Sequence, residues 1–94
     1  MNYAQACAHR DALESACESA ALAMRLLTPE HERHANGLTP DHIKATPEWR
    51  AARARYDSAF AALRAFNQRF VKAFARELRA ERLARAEARQ RAHA

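Results

Sequence analysis

Apolar residues recur every three or four positions through most of this chain, and that period predicts two long helices joined by a connector. Tyr3, Ala6, Arg10, Leu13, Cys17, Ala20, Met24 and Leu27 occupy successive seam positions, interrupted once by Arg10. This spacing predicts a first helix over residues 2–27 with coiled-coil-like packing. Alanines at 4, 8, 12, 16 and 20 form a second ladder that predicts close approach of a neighbouring helix. In the second half the seam runs through Trp49, Ala52, Tyr56, Ala59, Leu63, Phe66, Phe70 and Ala73. Phe60, Val71, Phe74 and Leu78 widen it to a full apolar face. The next positions on that face hold Arg82, Arg85 and Arg89, so the apolar pattern ends near Leu78.

Neither Gly nor Pro occurs after Pro47. A single helix of about 45 residues, about 68 Å long, is therefore expected from Thr46 to the end of the chain. Between the helices Thr-Pro-acid occurs three times, as Thr28-Pro29-Glu30, Thr39-Pro40-Asp41 and Thr46-Pro47-Glu48. Thr caps a free amide, Pro suits the first helical position, and the acid favours the positive end of the helix dipole. Short helical turns are expected at Pro29–His34 and Pro40–Lys44, the first closed by Asn36-Gly37 in a left-handed cap. Leu38 and Ile43 are expected to tuck this connector over the hairpin.

The predicted fold is all-α, an antiparallel two-helix hairpin forming one domain. Its parts are helix 1 (1–27), the connector (28–46), the packed part of helix 2 (47–78) and a basic overhang (79–94). A first helix of about 25 residues covers the second only from about Glu48 to Phe74, so the rest must project. Two helices alone bury little. Trp49 and the four Phe predict that two copies pair into a four-helix bundle, ahead of a monomer sealed by its connector.

Composition adjusts this picture in one respect. Of the 46 residues behind the 49% hydrophobic fraction, 25 are alanine, leaving 21 larger apolar or sulfur side chains for a core. One Val, one Ile and one Gly leave little for strands or hairpin turns. Charge adds more. Eight Lys/Arg balance eight Asp/Glu through Gln68, so the net +5 arises after it, from eight basic residues against Glu77, Glu81 and Glu87. That asymmetry calls for an anionic partner, a nucleic acid or an acidic protein face. Arg76, Arg79, Arg82, Arg85, Arg89 and Arg91 are the candidate contacts, spread around more than one side of the helix. Glu81–Arg85 and Glu87–Arg91 have the spacing of helical ion pairs. No aromatic residue lies beyond Phe74, so base stacking is not encoded there.

Catalytic and metal chemistry find no pattern to stand on. His31, His34 and His42 lack the spacing and companion ligands of a zinc site. Cys7 and His9 point apart on a helix, and Cys7 and Cys17 lie too far apart along one to form a disulfide. No Gly-rich phosphate loop or Ser/His/Asp set is present. The expectation is a protein without enzymatic activity, metal or cofactor. With no long apolar run and no leader pattern, it is expected to be cytoplasmic and to have no membrane partner.

The run from Leu38 to Leu83 carries Leu38-Thr39-Pro40-Asp41, Ala45-Thr46-Pro47-Glu48 and Leu63-Arg64-Ala65-Phe66-Asn67. In these phrases about half of the chain resembles small helical proteins of phages, prophages and other mobile elements of high-GC bacteria. Such elements carry many short proteins that bind and block host enzymes, CRISPR effectors among them. The resemblance implies an accessory protein that binds and modulates a host protein. The alternative is a nucleic-acid-binding factor using the same arginines.

Overall fold

The computed structural model describes residues 1–34 and 37–93, and it is all-α, with no strand among the described residues. Helix α1 spans Tyr3–Leu26. Its start is a capping box: the Gln5 amide donates to Asn2 Oδ1 at 2.8 Å and the Asn2 amide donates to Gln5 Oε1 at 2.9 Å. Two amides that the helix leaves open are thereby satisfied. Pro29, just beyond, disfavours helical backbone at Thr28 and stops the helix.

The connector holds a 3-10 turn at Glu30–Glu32 and a short helix α2 at Asp41–Lys44, in the places that the first two Thr-Pro-acid phrases mark. Gly37 takes φ +81, the left-handed backbone expected of a cap, and its amide donates to the His34 carbonyl at 2.9 Å. The Asn36 part of that expectation lies outside the described residues. Thr28 and Pro40 are buried and Ile43 is half-buried, but Leu38 is exposed rather than tucked over the hairpin.

Helix α3 spans Pro47–Ala73. Thr46 caps it: its hydroxyl accepts from the Trp49 amide at 3.2 Å and donates to the Ile43 carbonyl at 2.7 Å, joining α2 to α3. Pro47 occupies the first turn, where its missing N–H costs nothing. α3 lies against α1 in antiparallel sense, since Tyr3 meets Phe70 and His9 meets Phe66 as the residue numbers run in opposite directions. The buried apolar residues are Ala6, Ala20, Ala52 and Phe70. The helices thus approach closely through Ala6, Ala20 and Ala52. The ladder of Ala4, Ala8, Ala12 and Ala16 is exposed and does not serve this contact. The 3-4 seam, tracking the contact stripe, was the better guide.

The long second helix is not continuous. Phe74 has φ −120 and ψ 30, outside helical values, and a separate helix α4 begins at Ala75 and runs to His93. The Phe74 amide still donates to the Phe70 carbonyl, and Leu78 to that of Phe74, so the chain turns here without unravelling. A straight helix from Pro47 to His93 would measure about 70 Å, yet the molecule extends 52 × 36 × 16 Å, with a longest diagonal of about 65 Å. The two segments must meet at an angle. Neither Pro nor Gly is there to kink the helix, so the cause is tertiary. The Phe74 ring packs against Tyr3 at 5.4 Å and Phe70 at 5.4 Å, closing the hairpin just where α1 begins. The helix break at Phe74 thus falls four residues before the boundary expected near Leu78, and α4 continues beyond it at an elbow.

This shape exposes much surface. A compact monomer of 10.6 kDa would present about 5,500 Å², whereas this chain presents 7290 Å². Its radius of gyration is 18.7 Å against about 12 Å for a compact chain of this length. The molecule is a bent rod built on a two-helix hairpin, and no described helix is long and apolar enough to cross a membrane.

A candidate binding face at the elbow

All six candidate arginines lie on α4, and none of them is buried. At 100° per residue they divide into two sets. Arg79, Arg82, Arg85 and Arg89 fall within an arc of about 120° that contains no carboxylate, while Arg76 and Arg91 lie outside it. Glu81 flanks the arc and Glu87 lies behind it. The charge that composition located is thus partly sorted onto one side. Of the two expected ion pairs, Arg85 with Glu81 forms at 3.4 Å, and Glu87 with Arg91 does not among the described residues. Arg85 is 71% exposed in that pair, so it contributes only a few tenths of a kcal/mol.

The sorted side looks onto the elbow. A groove there is lined by Val71, Ala75 and Leu78 as an apolar floor and by Arg79, Arg82 and Arg85 as a basic wall. Through Val71 it joins a shallow apolar patch on α3 that includes Phe60 and Leu63. Phe60 and Val71, counted by their spacing as part of the packed face, are instead 41% and 52% exposed. Their positions lie beside the seam rather than on it, and α1 is too narrow to reach them. The Arg64 guanidinium covers the Phe60 ring at 4.8 Å from its centroid.

The residues beside this face come from the other end of the sequence. The rings of Tyr3, Phe70 and Phe74 cluster at the mouth of the hairpin, and Arg10, the residue that broke the first seam, places its guanidinium 5.0 Å from the Phe70 centroid. Its stem packs while its charge answers Asp11 at 3.6 Å and Glu14 at 4.0 Å. The Tyr3 hydroxyl oxygen is shielded and meets no partner in good hydrogen-bond geometry. The hydrogen-bonding pull of the Glu81 carboxylate favours its protonated form and pushes its pKa well above the usual phenol value; burial and the Cys7 thiol act in the same direction. The Glu81 carboxylate thus lies near the Tyr3 hydroxyl at the start of α1, while the adjoining face carries the arginines outward. Neither Tyr3 nor the floor of the groove was among the candidates, because the first signal requires knowing that residues 3 and 81 are neighbours.

Elsewhere the candidate chemistry stays apart. His42 Nε2 stands 3.6 Å from Glu32 Oε1 across the connector, and no group of three or more metal-ligating side chains occurs among the described residues. Cys7 and Cys17 are free thiols, both half-buried on α1. Comparison with protein-family models, with curated proteins and with solved structures returned no match.

Proposed function

We propose that this chain is a non-enzymatic binding module, a phage-type accessory protein that engages and modulates an acidic host protein through α4. The observation that carries the reading is the acid-free arc of Arg79, Arg82, Arg85 and Arg89 beside an apolar groove. Exposed guanidiniums with no carboxylate among them form a surface that attracts anionic partners and steers their approach. The bent shape supports it, because exposing far more area than a compact monomer needs is costly unless something covers it.

The arc also favours a second reading, that of a nucleic-acid-binding factor, since guanidiniums on one helical side suit a phosphate backbone. Native co-purification with and without nuclease separates the two. The protein-binding reading expects a protein that survives nuclease treatment and is lost when Arg79, Arg82, Arg85 and Arg89 are all changed to Gln. Recovery of nucleic acid alone would overturn it in favour of the second. Pairing of two copies through the bare side of the hairpin belongs to the same proposal, and sedimentation showing a monomer at tens of micromolar would remove it.

A further inference from the structure

The geometry points to a definite occupant for the elbow groove: we propose that it receives an acidic amphipathic helix from a partner protein. The inference rests on the binding-module reading and adds the place and the chemistry of contact. Val71, Ala75 and Leu78 offer an apolar strip wide enough for one line of aliphatic side chains, and Arg79, Arg82 and Arg85 stand along its edge. A helix lying there buries residues spaced i, i+3 and i+7 on the strip and turns flanking carboxylates to the arginines. The guanidiniums are available for that role: among the described residues, the only carboxylate within 4.0 Å of any of the three is Glu81, on Arg85. The patch on α3 extends the strip beyond Val71, so an occupant longer than the groove still finds apolar surface.

Two other occupants fit less well. A phosphate backbone gains nothing from an apolar floor, and the exposed ring nearest to it, Phe60, is already covered by Arg64. A second copy of this chain brings the acids of α1, of which Asp11 and Glu14 are held by their own Arg10, leaving Glu18 as a single acid against three arginines. Engagement of Asp11 and Glu14 elsewhere would first require breaking those pairs.

The test uses the intact chain at low salt and a synthetic helical peptide of about four turns, with Leu at i, i+3 and i+7 and Glu on either side. Amide shifts in NMR titration are expected to cluster at Val71, Leu78, Arg79, Arg82 and Arg85. Replacing the Glu residues of the peptide by Gln, or introducing Val71→Glu or Arg82→Glu, is expected to weaken binding tenfold or more. Both substitutions sit at exposed positions, and an unchanged circular dichroism spectrum shows that the fold is kept. Equal binding of the Gln peptide, shifts centred away from the elbow, or displacement of the peptide by an equal concentration of duplex DNA would overturn the proposal. So would a dimer whose interface already occupies the groove. If a co-purified protein is retained by Val71→Glu and Arg82→Glu but lost with the fourfold Gln variant, the groove proposal falls and the binding-module reading stands. If the intact chain captures nothing at all, both fall.

Discussion

Phe70→Ala measures how much of this molecule hangs on one ring. Phe70 is 3% exposed and the only large apolar side chain among the described residues that is buried; the others are Ala6, Ala20 and Ala52. Its ring lies 6.0 Å from Tyr3, 5.7 Å from Phe66 and 5.4 Å from Phe74, with the Arg10 guanidinium 5.0 Å away. Truncating a buried Phe to Ala costs about 3–5 kcal/mol, from lost transfer energy and from the cavity left behind. Here the core is a single layer between two helices, so Tyr3 and Phe74 can close part of the hole, which favours about 3 kcal/mol. Loss of the ring–ring and cation–π contacts adds about 0.5–1 kcal/mol. A domain of this size holds about 5–14 kcal/mol in total, so the variant gives up a large share of its stability. Urea denaturation followed by far-UV circular dichroism reads the change, with Phe60→Ala as the comparison. Phe60 is 41% exposed, and its loss is expected to cost less than about 1.5 kcal/mol. Equal denaturation midpoints for the two variants would refute the central place of Phe70 in the core.

Tyr3→Ala is expected to release α4 from the mouth of the hairpin and raise the radius of gyration above 18.7 Å in small-angle scattering; an unchanged value would show that the elbow does not depend on this contact. Raised in the folded state, the Tyr3 pKa makes stability fully present below the unfolded phenol value and progressively lost as pH rises from about 10 toward the folded value. Glu81→Gln should bring the folded pKa down and flatten that alkaline loss, read by ultraviolet titration of the phenol; an unmoved titration would discard Glu81 as its cause. Thr46→Ala removes the acceptor for the Trp49 amide and is expected to cost about 1 kcal/mol, whereas a cost near zero in urea titration would mean that water substitutes for the cap.

Much of this architecture was legible in the order of residues because helical periodicity is a local property. The 3-4 seams located α1 and α3, Thr46 marked the start of α3, and Pro29 and Pro47 bounded the connector. The antiparallel return ending at Phe74 came from helix length alone. The charge excess after Gln68 placed the basic face on the last stretch of the chain. Tertiary structure decided the rest. No Pro or Gly announces a break at Phe74: the turn falls where α1 begins at Tyr3, whose ring packs against Phe74. That contact lies between residues 71 positions apart, and no local pattern reports it. The same turn takes Val71 and Leu78, which looked like ordinary members of a packed face, and makes them the floor of a groove beneath Arg79, Arg82 and Arg85. Periodicity states which residues share a side of a helix. Only packing states what that side meets, because burial depends on where a neighbouring helix begins and ends.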